Sequence, residues 1–332
     1  MLWFPWRLVG ISGLSLRFFF LFSSSSLVRI WIRLEFNFFC FVPLIAAFQR
    51  TRSRERESVT LYFLFQGFFS LVFLMGFFFF YYHMRELGPL LIFLSVVGKM
   101  GGFPFYFWVP PVVAPLRYES TWILLRVQKL GPIALYLSFI NTFSGDLIFF
   151  SVVIRFFVRA VGGFNQRWLR PFMAFSSIAQ RGWFIIRGLG GIELFIAYFL
   201  IYAVRLKLLL NLADHHIGFL FFSPYKNWQG RWSPKVVFVL VFFSLGGLPP
   251  FPGFFIKFLV IWFLSSFLRG FKIIIIRVIA GLTLFFYCWY SLKGLLINNI
   301  AFLFTRVVPS GYTYLGLYLF FSFSSWLLLF RI

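Results

Sequence analysis

Hydrophobic positions along this chain run on for about twenty residues at a time, the length a helix needs to cross a bilayer, and the basic residues gather at the ends of the runs. The pattern predicts spans over 8–28, 30–48, 59–82, a fourth that begins near Leu90, 118–140, and a sixth from about Leu147. Further spans follow over 172–186, 192–212, 235–263, 273–292 and 312–330. The expected architecture is therefore all-α: a polytopic membrane protein of about eleven transmembrane helices. The longest polar connection is 214–235, and the glycines Gly162 and Gly163 with Asn165 and Gln166 mark a turn after the sixth span.

Three spans carry a lysine beside helix punctuation. In GKMGGFPFYFWVPP, Lys99 precedes Gly101, Gly102 and Pro104, so its helix must lose the regular ladder just afterwards. In LLRVQKLGPIAL, Lys129 precedes Gly131 and Pro132, a spacing that predicts a helix ending there. In SLGGLPPFPGFFIKF, the run Gly246, Gly247, Pro249, Pro250 interrupts the ninth span and Lys257 lies in its second half. Broken backbone at membrane depth is tolerated only inside protein or beside a wet cavity, and an ionisable residue there marks a pathway. Two interrupted spans, those of Lys99 and Lys257, point to inverted repeats with a site near the midplane. The whole chain, 1–332, is read as one transmembrane domain with a core over about 30–265 and C-terminal helices over 273–332.

Mean hydropathy is +0.91 and only 12% of residues are charged, which leaves the bilayer as the solvent for a chain of this size. Net charge is +23, yet the only dense basic run, Arg50 to Arg56, is interleaved with Glu55. Helix-end anchoring and orientation account for that distribution, and nucleic-acid binding is excluded. The loop charges place the N-terminus on the matrix or cytoplasmic side and the C-terminus opposite. Cys40 and Cys288 have no metal or haem spacing, the glycines 188–191 lack a dinucleotide fingerprint, and His215 and His216 stand in a loop without further ligands. No cofactor or metal site is expected in this chain. The first residues carry neither a cleavage signal nor an amphipathic presequence pattern and read as the lead-in to the first span, and 56 phenylalanines suit AT-rich, organelle-encoded DNA.

Other polar residues inside spans are Arg17, Gln66, Arg126, the Ser176–Ser177 pair and Gln180. Arg126 shares a helical face with Lys129, leaving one of the two as an anchor for lipid headgroups. The serines favour close helix packing over holding water. Glu35, in an apolar run, needs a cation, either locally from Arg29 or Arg33 or from another span.

The segments WIRLEFNFFCFVP, GKMGGFPFYFWVPP, LLRVQKLGPIAL, GGFNQRWLRPFMAFSSIAQRGW and SLGGLPPFPGFFIKF occur in this order between about residues 30 and 260. Together they resemble subunit 2 of mitochondrial NADH:ubiquinone oxidoreductase, the respiratory complex I family of antiporter-like membrane-arm subunits. The resemblance implies that Glu35 pairs with Lys99, that Lys129 connects in the centre, and that Lys257 leads toward the exit side of a proton relay. It implies a multi-pass protein of the mitochondrial inner membrane, with the N-terminus in the matrix and the C-terminus facing the intermembrane space. Its partners would be other complex I membrane-arm subunits and lipids, cardiolipin among them. Ubiquinone, NADH, FMN and iron–sulfur clusters would belong to partner subunits, so any enzyme label, proton-translocating NADH:ubiquinone reductase, belongs to the assembly. Tyr106, Pro111 and Gln180 depart from the family habit of His, Glu and His.

Burial disfavours the charged form of a lysine and a neighbouring carboxylate favours it. A swing between those environments worth about two pKa units changes proton occupancy about a hundredfold. Glu35 drawn toward or away from Lys99 would thus act as a switch. The competing readings are lysines that only cap broken helix ends, a stand-alone monovalent cation/proton antiporter, and a scaffold subunit that does not pump.

Overall fold

The computed structural model describes residues 27–296 apart from 49–52, 83–85, 140–144, 165, 167, 190–191, 215–231, 250 and 268–269. The expected first and last spans, Arg17, and the loop histidines lie outside the described residues. The described residues are helical nearly throughout and form two compact units, Met1–Ser151 and Val152–Ile332.

In the first unit, α1 (Leu27–Phe48) and α2 (Ser53–Tyr81) are followed by α3 (Leu87–Met100). A 3-10 turn over Phe105–Trp108 and the short α4 (Val109–Val113) lead on to α5 (Tyr118–Leu125). A second 3-10 turn, Val127–Lys129, joins α5 to α6 (Leu130–Ser138). Helix α7 (Gly145–Phe164) runs across the boundary of the units. The second unit continues with α8 (Leu169–Leu189), α9 (Ile192–Leu212), α10 (Trp232–Gly246), α11 (Pro252–Phe267) and α12 (Gly270–Leu296). Four of the described stretches, Glu55–Tyr81, Gly145–Phe164, Phe195–Leu212 and Ile274–Ser291, are long and apolar enough to cross a membrane. Spans two to ten of the sequence pattern each correspond to a helix or a broken pair of helices.

Helix α3 ends as GKMGG requires. Gly101 adopts φ 67°, its N–H bonds the Gly98 carbonyl at 2.8 Å, and Gly102 N–H bonds Val97 at 2.9 Å. This is the Schellman arrangement, and the left-handed residue it needs is glycine. Helix α10 stops the same way at Gly247, φ 86°, with the N–H groups of Gly247 and Leu248 both on the Phe243 carbonyl.

The fifth span departs from expectation. The break falls before Lys129, at Arg126 (φ −122°, ψ −71°), and Gly131–Pro132 opens α6 where a helix end was predicted. Proline in a first helical turn surrenders no ladder bond, because the N–H it lacks would be unpaired there anyway. Neither Arg126 nor Lys129 is a headgroup anchor in the first unit: they are 1% and 4% exposed. The hydroxyls of Ser176 and Ser177 turn back onto the carbonyls of Met173 and Ala174, in keeping with packing.

Gly98 lies against Phe69, and a Cβ built there would enter that ring. Gly98→Ala is expected to destabilise the protein by about 1–3 kcal/mol, the usual cost of overpacking. Adding Phe69→Leu should recover part of the loss, both read from the thermal midpoint of the detergent-solubilised protein.

Candidate functional site: buried lysines at helix breaks

Glu35 sits in the middle of α1 and Lys99 in the last turn of α3. Packing of α2 against both helices holds them together. The Lys99 ammonium donates to Glu35 Oε1 at 2.8 Å, with the side chains 4% and 14% exposed. Glu35 therefore takes its cation from another span, ahead of the local option of Arg29 or Arg33. The carbonyls freed where α3 ends are occupied too. Gln66 Nε2 donates to the Lys99 carbonyl at 3.3 Å, and Trp108 Nε1 donates to the Gly98 carbonyl at 3.1 Å. Lys99 is consequently free to spend its charge on the carboxylate, because other groups cap its helix.

Lys99 and Lys129 line one small cavity of the first unit, with Asn37, Tyr62, Gln66 and Gln128 as its other polar neighbours. Residues Asn37 and Gln128 join α1 to the break before Lys129 through a buried hydrogen bond, Asn37 Nδ2 to Gln128 Oε1, 2.6 Å. Neither residue is among those the sequence pattern singles out. The signal was present, since Asn37 is a lone amide two residues beyond Glu35 and Gln128 adjoins Lys129. Gln66, the polar residue of its span, is buried and lines this cavity.

Lys257 belongs to the second unit and is handled differently. Its ammonium donates to the carbonyls of Leu245 (3.2 Å) and Gly246, the last of α10. A cation there also meets the negative end of the helix dipole. Gly253 fits directly against the Ser244 carbonyl, which brings α11 back close enough for Lys257 to reach. A second cavity is lined by Lys257, Gln180, Tyr198, Tyr202, Arg205 and Ser244, and the Tyr198 hydroxyl bonds Gln180. Gln180 thus stands beside Lys257 in this cavity, as an amide that does not titrate. Tyr106 is half-buried in the 3-10 turn and Pro111 is exposed on α4. No cluster of three or more His, Cys, Asp or Glu suited to a metal occurs among the described residues.

A family model described as NADH:quinone oxidoreductase/Mrp antiporter, TM, matches residues 24–283. NADH-ubiquinone oxidoreductase chain 2 of Anopheles gambiae is 32% identical over 285 residues, covering 83% of this chain and 82% of that one. This chain belongs to the NADH-ubiquinone oxidoreductase chain 2 family. Among solved structures, a chain of respiratory complex I from Thermus thermophilus superposes with TM-score 0.74 at 19% identity, covering 89% of this chain and 76% of that chain. A chain of the Mrp complex from a Dietzia species gives 0.71 at 16% identity, covering 89% and 60%. Likeness at that identity speaks for the antiporter-like fold, and the family membership rests on the chain 2 relatives.

Removing one partner of a buried ion pair leaves an uncompensated charge, at a cost of about 3–5 kcal/mol. Glu35→Gln is therefore expected to lower stability by about 3 kcal/mol. Combining it with Lys99→Met should cost less than the two changes added together, as a double-mutant cycle on thermal unfolding would register.

Proposed function

We propose that this chain is a proton-translocating core subunit of the membrane arm of respiratory complex I, in the mitochondrial inner membrane. The observation that carries the reading is the Lys99–Glu35 ion pair placed at a terminated helix, with Lys99 opening onto the same polar cavity as Lys129. An ammonium held by a movable carboxylate, with a second amine beside the same cavity, is what stepwise proton transfer requires. Glu35 near Lys99 keeps the proton on Lys99; Glu35 drawn off releases it toward Lys129. Lys257, with Gln180 and two tyrosines around its cavity, serves the exit side. The driving event is quinone reduction by partner subunits, which also hold FMN, the iron–sulfur clusters and the NADH site. Oxidoreductase activity belongs to that assembly, and the partners of this chain are other membrane-arm subunits and lipids, cardiolipin among them. The positive-inside distribution orients the N-terminus to the matrix and the C-terminus to the intermembrane space.

Lys257 also supports a second reading, in which it is a helix cap alone, since its ammonium bonds the last carbonyls of α10. Lys99 does not fit that role, because Gln66 and Trp108 fill it. In the assembled complex reconstituted into liposomes, Lys99→Met and Lys257→Met are each expected to abolish most NADH-driven proton uptake. Unchanged uptake with Lys99→Met would refute the relay; unchanged uptake with Lys257→Met alone would leave Lys257 a cap. The chain purified by itself should exchange neither protons nor monovalent cations, and exchange by it would favour a self-sufficient antiporter.

A further inference from the structure

Two amides of the first unit have no part in the relay as stated so far, yet they sit where its two central lysines meet. Asn37 is 5% exposed and Gln128 is 7% exposed, and both line the cavity shared by Lys99 and Lys129. Gln128 Oε1 is committed to Asn37 Nδ2 at 2.6 Å. That commitment fixes the amide plane and leaves Gln128 Nε2, which is buried and has no hydrogen-bond partner among the described residues, as a donor at the cavity. A buried amide N–H without an acceptor costs about 1–3 kcal/mol, so an acceptor belongs there. The other nitrogen groups of the lining, Asn37 Nδ2, Gln66 Nε2, Trp108 Nε1 and the Lys99 ammonium, are themselves donors. A water oxygen is the small acceptor that suits such a wall.

Resting on the relay reading of Lys99 and Lys129, we propose that the Asn37–Gln128 amide bridge is the positioning element for the step between those lysines, holding one water against Gln128 Nε2. The geometry of that water follows from counting its sites. One lone pair accepts from Gln128 Nε2–H and the other accepts from the Lys99 ammonium, so a water hydrogen is directed to the lone pair of neutral Lys129. In the transfer, the N–H bond of Lys99 breaks as its proton bonds to the water oxygen, and an O–H bond of the water breaks as that proton bonds to Lys129. Lys99 ends neutral, Lys129 ends as an ammonium, and the water is regenerated. The amide carries no proton itself. Its effect is directional, because a water anchored by an N–H donor cannot turn that lone pair toward Lys129. The bridge also ties α1, which carries Glu35, to the backbone break that carries Lys129, so both ends of the step are positioned by one hydrogen bond.

The test uses the assembled complex in liposomes, with Gln128→Met, Asn37→Leu, the double variant and Lys129→Met studied in parallel. Gln128→Met keeps the length of the side chain and removes both hydrogen bonds. Coupled proton uptake is expected to slow at least about tenfold, in line with the loss of a positioned transfer geometry. Its solvent deuterium isotope effect is expected to rise as this step becomes rate-limiting. The double variant should be no slower than Gln128→Met alone, since both changes sever one contact. Wild-type rate and isotope effect in Gln128→Met, alongside lost uptake in Lys129→Met, would overturn the amide's role and leave the relay standing. Wild-type uptake in both would overturn the relay, and the inference with it. If Gln128→Met does not assemble, a map of the wild-type complex decides. A water within hydrogen-bonding distance of Gln128 Nε2 and between the two lysines supports the role. A map that resolves neighbouring buried waters but none there overturns it.

Discussion

The hydrogen-bonded contact between the Lys99 ammonium and the Glu35 carboxylate is the constraint that the first unit is arranged to satisfy. Taking two such charges out of water costs several kcal/mol each, and their attraction repays it only with good geometry and with the surrounding groups satisfied. The local sequence supplies both conditions. Gly98 lets α3 approach Phe69, Gly101 turns the chain out of the helix, and Gln66 and Trp108 take the carbonyls that the turn exposes. With its own helix end capped by others, Lys99 has a single strong partner, and that partner is a group whose charge or position can change.

Lys257 shows the contrasting solution to the same problem. The second unit carries only two carboxylates, Glu193 and Asp214, against eighteen lysines and arginines, and Asp214 is exposed at the end of α9. Here the ammonium rests on backbone carbonyls and the dipole of α10. The buried arginines follow a related logic. The Arg159 guanidinium lies over the rings of Tyr287 at 4.3 Å and Phe172 at 4.9 Å, and Arg181 bonds the carbonyl and hydroxyl of Ser177. A guanidinium is weakly hydrated and stacks well on aromatic faces, which is why arginine rather than lysine fills such positions. A carboxylate is mobile and can be neutralised, whereas a carbonyl cap is fixed. The two lysines thus differ in what holds them, a carboxylate from another helix in one case and the carbonyls of a helix end in the other.

Much of this is legible in the sequence. Long apolar runs announced the helices, and the Gly101–Gly102 and Gly246–Gly247 pairs announced two of the breaks, because glycine acts on the backbone locally. Glu35 and the three lysines stood out because charge is rare in an apolar run. What the sequence hid was non-local. The side of Lys129 on which the fifth span breaks depends on the non-helical backbone at Arg126, whereas Gly131–Pro132 is equally at home starting a helix or ending one. Burial of Arg126 is likewise set by neighbouring helices and not by its own segment. Asn37 and Gln128 are 91 positions apart, and only the fold brings them together.

The central claim is that the charge state of the Glu35–Lys99 pair changes as the complex turns over. Infrared difference spectroscopy of the assembled complex, recorded between its resting state and steady turnover with NADH and quinone, addresses that pair directly. The account predicts a carboxyl-region difference band that vanishes in Glu35→Gln. Identical difference spectra for the wild-type and Glu35→Gln complexes, both turning over, would contradict it.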